Sequence, residues 1–201
     1  MKKSDIVISL VIGEIVALYF TNLLKELTGK VPFLSVILWS LPVVLPVLSI
    51  VCLWLAYLIG KKFLFVYQLA KFILIGALAT IFDLGTLSIF ISLSAATAGF
   101  YYLFFKGISF VFATIAKYFA DKFWAFEKKE TADLKKEFTQ FFLVTLVGLI
   151  INVGAAYVVV SVIKPQFGIT PQTWANFGGI GAVLITFLWN FVGYKFIVFK
   201  K

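Results

Sequence analysis

Six long apolar runs, each ended by a short polar or charged stretch, organise the chain: residues 4–24, 33–60, 69–94, 107–127, 138–163 and 174–199. A helix crossing a hydrocarbon core of about 30 Å needs about 20 apolar residues, at about 1.5 Å of rise each. Every run is long enough, so the pattern predicts six transmembrane helices. The second run is the longest and contains Pro42 and Pro46, which predicts a kink or break there. Tilt absorbs its surplus length. The only strongly hydrophilic stretch is EKKETADLKKE, 127–137. It is expected to be a short amphipathic or coil connector whose lysines are solvated or touch anionic headgroups. The N-terminal stretch looks superficially like a secretion signal, but Glu14 interrupts it and no small-residue cleavage site follows, so a retained first span is expected.

Composition fixes the solvent. Of 201 residues, 62% are hydrophobic and 13% charged, with a mean hydropathy of +1.06. Soluble domains are about 45–50% apolar and about a quarter charged. Only lipid can take up this much apolar surface, so the fold class is an all-α integral membrane protein. The 18 basic residues are all lysine, set against nine acids. They flank apolar runs rather than forming a soluble basic face, so nucleic acid is not an expected partner. One set of helix ends carries Lys2, Lys3, Lys61, Lys62, Lys71, Lys128, Lys129, Lys135, Lys136, Lys200 and Lys201, and Lys117, Lys122 and Lys195 lie in the helix halves leading there. The opposite side has Lys25, Lys30, Lys106 and Lys164. Basic loops stay in the cytoplasm, which predicts a multi-pass protein of the cell membrane with both termini inside.

The chain also repeats itself. KFWAF, 122–126, returns as KFIVF, 195–199, at an offset of 73 residues, and KFILIGALATIFDLG, 71–85, aligns with QFFLVTLVGLIINVG, 140–154, at an offset of 69. Phe72, Leu74, Ile81 and Gly85 meet Phe141, Leu143, Ile150 and Gly154, and Asp83 meets Asn152. Each repeat is a helix pair, and an even number of crossings returns the chain to its starting side. The two pairs are therefore expected to run parallel, related by a pseudo-twofold along the membrane normal. This predicts an N-terminal transmembrane hairpin, 1–62, and a 2+2 four-helix domain, 63–201, built of repeats 66–129 and 135–201.

That pattern resembles the GtrA-like family over about residues 66–201. The shared features are KFILIGALATIFDLG, a helix ending KYFADKFWAF, then QFFLVTLVGLIINVG and a helix ending NFVGYKFIVF. The family's asparagine-plus-aromatic, basic residue and W-x-F ending has counterparts in Asn190, Phe191, Lys195 and Phe199. In the first repeat Lys117 stands at the asparagine position, while Trp124 and Phe126 keep the ending. Asp121 and Tyr194 precede the basic residues where the family often has asparagine. The resemblance implies a small four-helix membrane domain that moves polyprenyl-phosphate-linked sugars across membranes.

Polar groups within the apolar runs are the candidate chemistry. Helical rise places Asp83 about 18 Å from the Lys71 end, and Lys117 and Asn190 about 15–17 Å deep. Asn152 matches Asp83 in its repeat. Four polar side chains, Asp83, Lys117, Asn152 and Asn190, are thus expected near the midplane. A charge at that depth costs about 2.5–3.5 kcal/mol on insertion scales, so Asp83 and Lys117 are expected to face inward and pair. Two readings stand: hydrogen-bonded packing glue, or a polar translocation seam for a headgroup with Asp83 as a proton site. Lys122 and Lys195 lie about 8 Å inside the cytoplasmic ends. They read either as snorkelling anchors or, as the resemblance favours, as cations gripping a lipid-linked phosphate. Aromatic clusters around them form interfacial belts. Trp124 and Asp121 are the candidates for lining a headgroup. Glu14 is an odd charge near mid-depth of the first span.

Function classes narrow accordingly. The chain has no histidine, and Cys52 is its lone cysteine. Neither a nucleophile–base pair nor a metal set is available, the acids are dispersed, and no nucleotide motif is present, so no catalysis, metal or cofactor is expected. The leading expectation is a flippase for a polyprenyl-phosphate-linked monosaccharide used in cell-envelope glycan or glycolipid modification, with that lipid and the surrounding membrane lipids as partners. The alternative is an accessory membrane subunit that recruits or stabilises a glycosyltransferase through the 127–137 loop. A weaker third option is a small cation exporter using Asp83 or Glu14. A homodimer is compatible with so small a core.

Overall fold

The computed structural model describes residues 1–24, 32–94, 99–130, 133–166, 168 and 171–200. Lys25, Lys30, Lys201 and two residues of the charged connector lie outside the described residues. Six long α-helices follow in order: α1 (Lys3–Leu24), α2 (Pro32–Gly60), α3 (Leu64–Ser94), α4 (Gly99–Ala120), α5 (Leu134–Tyr157) and α6 (Pro171–Gly193). The last three run straight into π-helical turns at Asp121–Ala125, Val158–Ile163 and Tyr194–Val198. Among the described residues there is no strand, and five helical stretches are long and apolar enough to cross a membrane. The remaining expected span, 107–127, falls on α4 and its turn. Side chains such as Trp39 (79% exposed) and Ile150 (71%) point outward, as hydrocarbon solvent permits.

The chain divides into two compact units, Met1–Glu127 and Lys128–Lys201. The first joins the N-terminal hairpin to the first helix pair. Within it α1 and α2 are antiparallel, because Thr21 donates to the Leu38 carbonyl while Ser49 donates to the Ser9 carbonyl at 2.7 Å. Ser9, Gly13 and Ala17 recur every fourth residue, which puts small side chains on one face of α1. Such a face lets backbones approach closely. A Cβ on Gly13 would sit 2.6 Å from the Pro46 Cα.

That approach bears on the expected kink. α2 is not broken: it runs unbroken through Pro42 and Pro46. The Pro46 backbone nests against Gly13, and the Thr21 hydroxyl of α1 donates to the Leu38 carbonyl, which Pro42 leaves without its usual helical N–H donor. Gly13→Ala must push α1 away from rigid backbone. It is expected to cost about 1–3 kcal/mol, read as a lower melting temperature in detergent micelles; an unchanged melt would refute this packing.

The second unit is a simpler antiparallel pair. The indole N–H of Trp189 donates to the Val144 carbonyl at 3.0 Å. A Cβ on Gly193 would lie 2.6 Å from Val144 Cγ1, and one on Gly148 would lie 2.5 Å from Asn190 Oδ1. Helix α5 begins at Asp133, whose carboxylate accepts the Lys136 backbone N–H. That bond satisfies a donor the first turn leaves open. In the charged connector, Lys128 pairs with Glu137 at 3.3 Å and donates to the Val198 carbonyl. This lysine is tied to its own unit rather than left to solvent.

Candidate functional site

The two repeated pentapeptides close the two helix pairs in the same way. In the first unit the Phe126 N–H donates to the Asp121 carbonyl at 2.9 Å, and in the second the Phe199 N–H donates to the Tyr194 carbonyl at 2.7 Å. Both bonds span five residues, the mark of a π-turn, a rare element found often at functional sites. Each turn carries one repeated lysine, Lys122 or Lys195, and aims its final phenylalanine inward. Phe126 tilts against Phe72 at 6.4 Å and 54°, and Phe199 against Phe141 at 6.1 Å and 49°. The four rings are the ones the sequence offsets pair, so the repeat extends to three-dimensional contacts within each unit.

The surroundings of the two turns differ in charge. In the first, Lys122 and Asp121 are fully buried and Lys117 forms an ion pair with Asp121 one helical turn away. The Lys117 ammonium also lies 4.1 Å from the Phe72 ring centroid, a favourable cation–π contact. Lys122 sits 5.8 Å from the ring centroids of Tyr118 and Phe123. In the second turn tyrosine replaces the acid. Tyr194 stacks on Phe141 at 4.2 Å, its hydroxyl lies 2.6 Å from Thr145 Oγ1, and Lys195 is only half-buried. Asn190 matches Lys117 in the repeat. Its amide oxygen is buried over Gly148 without a donor among the described residues. Asn152 is half-buried on α5.

Asp83 and Lys117 do not form the single pair expected from their depths. Asp83 pairs with Lys106 and accepts the Ser109 hydroxyl at 2.6 Å, while Lys117 is bound to Asp121. Register explains the difference. The Lys71 ammonium reaches the Trp124 carbonyl at 3.3 Å, so Trp124, not Lys128, is level with Lys71. Counted from that level, Asp83 is about 18 Å along its helix and Lys117 only about 10 Å along its own. Each charge therefore found a closer partner.

An ion network that sequence reasoning missed lies beside the first turn. The Asp5 carboxylate, 1% exposed, accepts the Tyr67 hydroxyl and the Trp124 indole N–H, each at 2.8 Å. Lys71, also 1% exposed, approaches the same carboxylate at 3.0 Å and Glu127 at 3.0 Å. The Lys2 backbone N–H adds a fourth donor to Asp5 at 2.9 Å. Trp124 packs its ring on the cluster of Leu53, Ala56 and Tyr67, with the Lys71 ammonium 5.6 Å from its centroid. Glu127, just past the turn, adopts φ 50°, and burial there opposes its ionisation. Hydrogen bonds and charge from Lys2 and Lys71 outweigh that burial and hold its carboxyl below the ordinary value. No local pattern links residue 5 to residue 71; only the fold brings them together.

Long apolar helices, an outward apolar surface and ionised groups sequestered around helix ends define a multi-pass membrane protein. The family described as GtrA/DPMS, transmembrane domain, matches residues 71–199, and the chain belongs to that family. No curated protein and no solved structure matches the chain.

Proposed function

We propose that this protein is a flippase, carrying a polyprenyl-phosphate-linked monosaccharide across the cell membrane for envelope glycan or glycolipid modification. The observation that carries the reading is the lysine-bearing π-turn, present once in each unit of a chain whose residues 71–199 belong to a polyprenyl-sugar-associated family. Lys122 and Lys195 supply positive charge for the phosphate, each as a compact ammonium. Asp83, Lys117, Asn152 and Asn190 give the headgroup polar partners along the helices, with Asp121 and Trp124 shaping the first turn. The termini and the 127–137 connector face the cytoplasm, following the lysine distribution. The protein performs no bond chemistry in this reading, and consumption of the sugar on the far side or an ion gradient drives net flow.

The test is reconstitution into vesicles with a labelled polyprenyl-phosphate sugar. Protein-containing vesicles are expected to expose label at the far leaflet much faster than protein-free ones. If the rates are equal, and the protein instead retains a glycosyltransferase through the 127–137 connector, the accessory-subunit reading replaces this one.

A further inference from the structure

The Asp5 carboxylate is bound as a bound anion would be. Tyr67 Oη, Trp124 Nε1 and Lys71 Nζ converge on its two oxygens at 2.8, 2.8 and 3.0 Å. Neutral donors and a cation around one buried anion are the arrangement that holds carboxylates and phosphates alike, and hydrogen bonds to charged groups are the stronger class. The donors and the acceptor have different origins. Lys71 and Trp124 lie within the matched domain, 71–199, Tyr67 lies on α3 just before it, and Asp5 comes from the hairpin. Asp5 sits in the first turn of α1, and Lys2, the residue before that helix, is 64% exposed at its side chain. The buried carboxylate is therefore carried on the first turn of α1; apart from the Lys2 backbone N–H of its own segment, its donors sit on α3 and the π-turn.

We infer that Lys71, Tyr67 and Trp124 form a phosphate-ester site whose resident occupant is the Asp5 carboxylate, so that the first turn of α1 is an internal competitor for that site. A phosphate group entering the cradle displaces Asp5, which moves toward solvent with Lys2 and Lys3. Lys71 keeps Glu127 as its second partner throughout. This site shares Trp124 with the first turn but uses neither Lys122 nor Lys195. It rests on the phosphate-lipid reading only for its ligand class, and its test reads anion binding rather than transport, so either claim can fail alone.

The experiment opens the cradle with Asp5→Gly and follows the melting temperature of the full chain. A ligand that binds only the folded state raises that temperature in a saturable way. Inorganic phosphate is expected to restore most of the temperature lost in Asp5→Gly, while chloride at equal ionic strength does not. The wild type, its cradle filled, is expected to respond far less. Asp5→Gly with Lys71→Met is expected to lose the phosphate response, which places the effect at the cradle. A second arm uses phosphatidylcholine vesicles with and without phosphatidic acid. Stabilisation by phosphatidic acid at lower concentration than inorganic phosphate makes a membrane lipid the source, and stabilisation by inorganic phosphate alone makes it a soluble phosphate compound. If Asp5→Gly does not fold, Asp5→Asn enters the same titrations. Absence of any phosphate-specific stabilisation in the cradle-opened variant, from either source, overturns the inference.

Discussion

Lys71→Met is expected to cost about 3–5 kcal/mol, the largest stability loss of any single substitution in the first unit, because it strands a buried carboxylate. Asp5 is 1% exposed and loses its ion-pair partner, while Tyr67 and Trp124 keep donating to a buried charge. Glu127 loses one of its two ammonium partners as well. Thermal melts in detergent micelles measure the effect. Combining Lys71→Met with Asp5→Asn removes both charges and is expected to recover much of the loss, since an ion pair replaced as a pair is far less costly than one broken. A single variant melting like the wild type would show that the pair is solvated, and the network would lose its structural role.

Translocation is expected to fall by about a hundredfold or more when Lys122→Ala and Lys195→Ala are combined. A hydrogen bond to a charged group contributes about 1.5–3 kcal/mol, and about 1.4 kcal/mol is tenfold, so each lysine accounts for roughly one to two decades. The two positions differ in what else they do. Lys122 is fully buried among Tyr118 and Phe123, so its removal also tests packing. Lys195 is half-buried, so Lys195→Ala is expected to melt near the wild-type temperature while losing at least about tenfold in flux, the separation that identifies a ligand contact. Arginine at both positions keeps the charge and is expected to restore part of the rate. Flux unchanged in the double variant, measured in the same vesicles, would remove both lysines from the mechanism.

The helices were legible because hydrocarbon imposes length and apolarity on each one independently. The expected run 33–60 appears as Pro32–Gly60, and 138–163 as α5 with its turn, Leu134–Ile163. The repeated pentapeptides were legible as a recurrence, though not as π-turns, since a bond from Phe126 to Asp121 leaves no spacing signature. Pairing was not legible. The depth of Lys117 depended on where its helix ended relative to Lys71, and counting from Lys128 included residues that had already left the helix. A four-residue shift of that reference left Lys117 five residues, about 7.5 Å, short of the depth of Asp83 along the axis, enough to exchange partners. Asp5 was invisible for another reason. An acid in the first turn of a helix is ordinary, and nothing near it names a lysine in α3 or an indole in the π-turn.

The bond between Asp5 and Trp124 joins residues 119 positions apart. During synthesis the Asp5 carboxylate meets Tyr67 and Lys71 once the third helix is made, but its bond to Trp124 waits until the fourth helix has left the ribosome. Loop closure of that length is slow compared with forming a neighbouring hairpin. The insertion machinery thus receives a nascent chain whose donor set around Asp5 is completed only when translation has passed Trp124.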